Sequence, residues 1–314
     1  MQEELARDER VFVIGEDVGV RGGVFLATDG FIEQFGESRI IDTPLAESSI
    51  AGIALGAAMH GLRPIAEIQF ADFIWPVFNQ IVGEAARVRY VTKGQLQVPL
   101  VIRTPYGGGI RGALYHSQSV EAYFYHTPGL KVVAPATPYD AKGLLKSAIR
   151  DDDPVIFLEH KRTYRLVRGD VPDEEYTVPI GKADVKREGD DMTVVTYGLM
   201  VHHCLEAANE LAKEGVNVEV VDLRTLRPTD EETIVSSVNK TGKALVVHED
   251  NKAGGIGGEV AAIISEKCFE HLDGPVTRLA GPEVPAMPFS PPLEAVYMLD
   301  TAKIADAMRQ LAAY

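Results

Sequence analysis

Cysteine is scarce in this chain. Its 314 residues hold only two, Cys204 and Cys268, with no CxxC pair and no histidine–cysteine cluster. That count argues against a disulfide scaffold and a structural zinc site, and it fits a reducing compartment. Positive charge is also in short supply. Lys and Arg number 31 against 46 Asp and Glu, a net of 31 − 46 = −15. An acidic chain repels phosphate backbones and anionic lipid, so general nucleic-acid binding and a membrane-surface role are disfavoured. No apolar run approaches the roughly 18 residues needed to cross a bilayer. The opening stretch, MQEELARDERVFV, is charged and lacks the apolar region of a signal peptide. Glycine and proline, at 29 and 18, are ordinary, which argues against disorder, collagen and coiled coil. Short-period repeats, GxxxxGK[ST], HExxH and GxSxG are all missing. What remains is a soluble, cytoplasmic type of protein, long enough for two domains of about 150 residues.

What is present is alternation. Strands are expected at Arg10–Ile14, Arg39–Asp42, Pro64–Phe70 and Leu100–Arg103. Between them, helices are expected at Thr28–Phe35, from Thr43 as N-cap with Pro44 in the first helical position, and over a long amphipathic stretch Trp75–Lys93. GLKVVAPATPYDAKGLLKSAIRDDDPVIFLEH reads as strand, helix, strand. Tyr164–Val185, rich in Pro, Gly and acidic residues, reads as a connector. A second series starts at Met192, with a helix Met200–Glu214, then VNVEVVDLRTLRP, KALVVHED and the glycine loop GGIGG leading into a helix. This order implies an α/β protein with two parallel-sheet domains, residues 1–185 and 186–314.

Polar groups gather at the carboxyl ends of the expected strands, where parallel sheets place their sites. Glu16 and Asp17 follow the first, Glu47 lies in the turn opening the next helix, Gln69 and Asp72 follow the third, and His116 lies in the loop TPYGGGIRGALYHSQS. Each has a plainer explanation. A carboxylate in a first helical turn complements the helix dipole, and a loop histidine is often simply solvated. GGIGG lacks the GxGxxG spacing and is followed by Glu259, a poor neighbour for a phosphate, so a packed backbone turn is expected there. Gly52 and Gly56, one turn apart, are expected to allow close helix packing.

At these positions the sequence resembles the beta subunits of the thiamine-diphosphate-dependent 2-oxo acid dehydrogenase decarboxylases. The resemblance runs along almost the whole chain: GEDVGVRGGVF, DTPLAESSIAGIALGAAMHG, TPYGGG, ALYHSQS, PGLKVVAPATPYDAKG, IGKADV and DLRTLRPTD. EIQFADFIWPVFNQIVGEA and GALYHSQSVEA look most like the branched-chain members, with the pyruvate and acetoin members close. The resemblance implies a pyrimidine-binding domain followed by a transketolase C-terminal-like domain. It implies oxidative decarboxylation of a branched-chain 2-oxo acid and reductive acylation of lipoyl groups on an acyltransferase core. In that family the alpha subunit holds the diphosphate and Mg2+ through a GDG motif. No GDG occurs here, so the resemblance implies half of an active site, completed by an alpha subunit in an alpha2beta2 heterotetramer. The location implied is the cytoplasm in the bacterial type, or the mitochondrial matrix if the protein is eukaryotic and processed. Relatives carry a further helix ahead of the position of Met1, whereas this chain is expected to open just before its first strand.

The resemblance also assigns roles residue by residue. Glu47 matches the glutamate facing the aminopyrimidine, with Leu45 and Ala46 forming the turn before it. Gln69 and Phe73 match cofactor-pocket positions, and Phe73 stands where many relatives have Tyr. Glu16, Phe73 and His116 match residues near the substrate, with His116 in the place of a proton donor during lipoyl acylation. Leu100, Ala148, Ile149, Asp151 and Asp153 match a K+ site, a hard oxygen set. DLRTLRPTD and the GGIGGE helix match the segments used for dimer contacts and for docking to the acyltransferase core. Two other readings stay open, a non-catalytic assembly subunit and a single-chain thiamine enzyme.

Overall fold

The structure, a computed structural model, describes residues 1–314. Twelve strands form two sheets. The first holds β1 (Val11–Gly15), β2 (Ile40–Asp42), β3 (Arg63–Glu67), β4 (Val101–Tyr106), β5 (Lys131–Val133) and β6 (Val155–His160). The second holds β7 (Asp184–Arg187), β8 (Met192–Thr196), β9 (Val218–Asp222), β11 (Ala244–Asn251) and β12 (Thr277–Gly281). β10 (Thr225–Arg227) comes from the second half of the chain yet joins the first sheet. The orders are β10-β5-β6-β4-β3-β1-β2 and β12-β11-β8-β9-β7. All pairs are parallel except the two edges, β10 on β5 and β7 on β9. The expected parallel architecture thus holds, with one antiparallel edge strand added to each sheet.

The helices are α1 (Gln2–Arg7), α2 (Phe31–Phe35), α3 (Glu47–Met59), α4 (Ala86–Val91), α5 (Glu121–Tyr125), α6 (Pro138–Arg150), α7 (Thr163–Leu166), α8 (Met200–Lys213), α9 (Glu231–Thr241), α10 (Ile256–Lys267), α11 (Pro291–Tyr297) and α12 (Thr301–Ala312). Three expectations need correction. A helix, α1, precedes the first strand. Its Leu5 is buried, and Arg39 donates to the Leu5 and Asp8 carbonyls at 3.0 Å. The helix after β2 starts at Glu47, because Ala46 is held outside helical geometry at φ −159° and ψ 69°, so Thr43 and Pro44 lie ahead of it. The stretch Trp75–Lys93 is not one helix. A 3-10 turn over Trp75–Val77 runs into a wide π segment Asn79–Ala85 and then α4. Such widened turns are frequent beside functional sites.

Both faces of the central strands are covered, as continuous apolar runs require. In β1, Val11 and Val13 pack toward α6 residues Leu144 and Ile149, while Phe12 and Ile14 face Ile50 and Ala54 of α3. The second of these clusters does not stop at the first domain. It continues through Tyr197, Leu226, Val246 and Val260, so an unbroken core joins the two halves. Each buried Leu, Ile or Val contributes about 1.5–3 kcal/mol, which makes hinged independence of the halves costly. Gly52 is exposed and Gly56 faces open space, so the expected close packing on that side of α3 is not made within the chain.

Candidate active site

The carboxyl ends of β1, β2, β3 and β4 bring most of the expected residues to one edge of the first sheet. Glu16 follows β1 and is buried, and one of its carboxyl oxygens has no hydrogen-bond partner. Burial, reinforced by the neighbouring Glu47 carboxylate, holds its pKa above the usual carboxylate range, and the Ala46 amide works the other way. Glu47 is the first residue of α3 and half-buried. Two carboxyl groups therefore lie near one another at this corner, and one buried Glu16 oxygen is left without a partner within the chain. Leu45 is 81% exposed beside them, so the turn before Glu47 presents an apolar side chain outward.

After β3 the chain turns through Ala71–Phe73. Gln69 Nε2 donates to the Glu16 carbonyl and to Asp17 Oδ2, each at 3.3 Å, which ties the first and third loops together. The His116 imidazole stands edge-on to Phe70, with ring centres 4.6 Å apart, and to Phe73 at 5.4 Å. Two phenyl rings so placed limit where the imidazole can turn. Ser117 does not orient His116. Its amide donates instead to Asp72 Oδ1 at 3.3 Å, as does the Gln118 amide, and its hydroxyl has no partner.

Behind this wall lies a residue that sequence reasoning missed. Lys161 is buried, its ammonium has no hydrogen-bond partner, and it lies 5.8 Å from the centre of the Phe70 ring. Burial pushes its pKa down to about 8 against the pull of Asp72 and Glu249. Asp72 is displaced upward, again by burial, with Lys161 opposing. Below the site, Arg103 of β4 is fully enclosed between Glu67 of β3 and Glu159 of β6, with Arg103 Nε donating to Glu159 Oε1 at 2.8 Å. This pairing fastens three adjacent strands under the loops. Charges inside otherwise apolar strands, visible in RPIAE and VIFLEH, were the available signal.

The five residues matched to a K+ site surround one turn, and their oxygens already have partners within the chain. Arg63 Nη1 donates to the Ile149 and Asp151 carbonyls at 3.0 and 2.9 Å. Lys131 Nζ pairs with the Asp151 carboxylate at 2.6 Å, and Arg89 pairs with Asp153 at 2.6 Å. The Leu100 and Ala148 carbonyls accept backbone amides. Fixed cations already neutralise the carboxylates of this turn, which weakens the electrostatic case for a further ion. No group of three or more His, Cys, Asp or Glu side chains could hold a metal. No helix is long and apolar enough to cross a membrane.

DLRTLRPTD also differs from expectation. Asp222, Leu223, Thr225 and Leu226 are buried, because β10 completes the first sheet, so most of this segment is unavailable for docking. GGIGG is a packed turn. A Cβ on Gly257 would come within 2.6 Å of His248 Nε2, and one on Gly255 within 2.6 Å of His248 Cε1.

Residues 1–167 match the transketolase pyrimidine-binding domain and residues 181–304 the transketolase C-terminal domain. The chain is 62% identical to the 2-oxoisovalerate dehydrogenase subunit beta of Bacillus subtilis over 314 residues, 100% of this chain and 96% of that one. The chain belongs to the family of 2-oxo acid dehydrogenase beta subunits. The pyruvate dehydrogenase E1 component subunit beta of Bacillus subtilis, another member, is 50% identical over 99% of this chain and 95% of its own. A solved split-gene transketolase, in an inactive beta4 tetramer, superposes with a TM-score of 0.81 over 99% of this chain and 94% of that one at 24% identity, which shows a shared fold. Apart from β10, the family's domain pair coincides with the two sheets, and Glu16, Glu47, Gln69, Phe73 and His116 all lie within the residues matched to the pyrimidine-binding domain.

Proposed function

We propose that the chain is the beta half of the decarboxylase component of a branched-chain 2-oxo acid dehydrogenase, and that it works with an alpha subunit. The observation that carries this is the corner formed by Glu16 and Glu47, where a buried carboxyl oxygen has no partner inside the chain. An unsatisfied buried acceptor is costly, and a donor from a bound ring would relieve it. The 62% identity to a 2-oxoisovalerate dehydrogenase beta subunit over the whole chain supports the branched-chain substrate over pyruvate.

Thiamine diphosphate, when bound, supplies the nucleophilic carbon and the electron sink for decarboxylation. The donor set fits its pyrimidine end. Glu47 would hold a proton against a ring nitrogen, Glu16 would share that charged corner, and Phe73 with Leu45 would give apolar contact. Gln69 keeps the first loop in register through Glu16 and Asp17. His116 would move a proton to the lipoyl sulfur during acyl transfer. The alpha subunit would hold the diphosphate with Mg2+, and the acyltransferase core would receive the acyl group.

The test is turnover by the chain reconstituted with an alpha subunit, on 3-methyl-2-oxobutanoate against pyruvate, for wild type and Glu47→Gln. Preference for the branched acid, with decarboxylation lost in the variant and assembly kept, is the expected result. A Glu47→Gln enzyme that retains most of its activity refutes the assignment, and a preference for pyruvate moves the chain to the other branch of the family.

A further inference from the structure

The loop that carries His116 is held at both ends, and one end is held by the other domain. On the far side of His116, Asp72 of the first domain receives the Ser117 and Gln118 amides. On the near side, the partners come from the second half of the chain. Glu294 of α11 accepts from the Gly109 and Arg111 amides, both at 3.1 Å, through a single oxygen. Glu249 of β11 accepts from the Gly108 amide at 2.5 Å, and its other oxygen lies 2.8 Å from His160 Nε2. Between these anchors the backbone is not relaxed. Arg111 and Ala113 have φ of +60° and +52°, a left-handed region that is disfavoured for a non-glycine residue and persists only where surroundings enforce it. Met287 adds contact, since a Cβ on Gly108 would fall 2.5 Å from its Cε.

We propose that Glu294 is a positioning residue for acyl transfer, in that the second domain sets the place of His116 by clamping the 109–111 backbone. This rests on the role given to His116 above. Glu294 is the sharper probe of the two carboxylates. Glu249 also partners buried His160, so its removal disturbs the core, whereas Glu294 reaches the loop from the short helix α11 near the surface. Its bonds are to amides rather than to a cation, so a glutamine carbonyl in the same place can accept both. An alanine cannot.

The experiment uses the chain assembled with an alpha subunit, as wild type, Glu294→Ala and Glu294→Gln. Three quantities are read: decarboxylation with an artificial electron acceptor, reductive acylation of a free lipoyl domain, and amide exchange across residues 107–118. Glu294→Ala is expected to speed exchange of that segment and to lower kcat for acylation at least tenfold while changing decarboxylation less than threefold. Glu294→Gln is expected to return both exchange and acylation to within threefold of wild type. Unchanged exchange in Glu294→Ala overturns the clamp. Faster exchange with unaltered acylation overturns the positioning role, as does an equal loss of both half-reactions that glutamine does not restore. A wild-type assembly lacking both half-reactions would refute the proposed function instead, and the exchange measurement would still decide on the clamp.

Discussion

The hydroxyl of Tyr197 donates to Glu121 Oε1 at 2.8 Å across the boundary between the domains. Glu121 opens α5 of the first domain and Tyr197 directly follows β8 of the second, and both are buried. The other Glu121 oxygen has no partner. Burial, then the nearby Asp250 carboxylate, pushes the Glu121 pKa up to about 8, and Asp250 itself is raised to about 6, chiefly by burial. Glu249, also at this junction, is held below the usual range. Burial alone would raise it, but His160 and the Gly108 amide outweigh that. A raised carboxyl pKa means that the folded chain binds the proton more tightly than the unfolded chain. The stability it contributes is present below the unfolded value and is lost as pH rises through the folded one. Thermal stability should therefore fall between about pH 5 and pH 8. Glu121→Gln keeps an acceptor for Tyr197 and removes this group's share of the slope, while Asp250 retains its own. At about 1.4 kcal/mol for each unit of pKa, several kcal/mol is the upper bound. The variant should melt at least about 3 °C above wild type at pH 8, with the gap closing toward pH 5. A gap independent of pH would show that Glu121 is ionised throughout.

Gly107→Ala should be among the most damaging single changes in the loop. Gly107 has φ +86°, and a Cβ there would overlap the imidazole of His160. The His160 ring cannot yield, because Glu249 holds it and Tyr106 stands edge-on at 5.1 Å. Strain of about 1–3 kcal/mol is expected from the backbone alone, before the clash is counted. Thermal melting should drop by at least about 4 °C. An unchanged melting temperature would mean that the loop can adopt a second path.

The turn at Ile149–Asp153 bears on salt. Arg63 already donates to two of the carbonyls that a monovalent ion would use. A ligand that binds only the folded state raises its stability, so a working K+ site would show as a higher melting temperature in KCl than in NaCl at equal ionic strength. We expect a difference below about 1 °C. A larger stabilisation by K+ would show that the turn takes the ion with Arg63 beside it.

The inner strands of both sheets are legible in the sequence because they are buried on both faces and read as apolar runs bounded by loops, whereas the half-buried edge strands β7 and β12 are not. RVFVI and MTVVT need no partner to be recognised. The edge strand β10 is not legible in this way. TLR is three residues long, and its place beside β5 is decided by contacts more than ninety positions away, such as that of Thr225 with Val133. The broken helix at Trp75–Val91 misled for a related reason. Its apolar spacing suits an α-helix, and the widened turn lies against α3, a neighbour that the spacing does not reveal. Glu16, Gln69 and His116 could be picked out as polar residues at strand ends, but Lys161 and Glu294 could not. A buried lysine at the end of VIFLEHK and a glutamate in PPLEAVY take their meaning from loops distant in the chain.

On the proposed assignment, substitution of His116 should separate the two half-reactions most cleanly. Its imidazole lies against Phe70 and Phe73, with Lys161 on the Phe70 ring behind, and its own amide bonds only weakly, to Ala113 at 3.5 Å. The side chain thus has no hydrogen-bonded structural duty that alanine would disrupt, and the aromatic pair can close partly over the gap. Loss of a positioned proton donor typically costs about 10²–10⁴ in the step it serves. His116→Ala should therefore slow acylation of a lipoyl domain by at least about 100-fold. Decarboxylation, which on the proposed assignment draws on Glu47, should fall less than about tenfold. His116→Gln serves as the control for packing, since it restores bulk and a hydrogen-bond donor but cannot be protonated. If it matches His116→Ala in acylation, proton transfer is the role. If it matches wild type, the imidazole acts by shape or hydrogen bonding alone, and the acid assigned to this loop must be sought elsewhere.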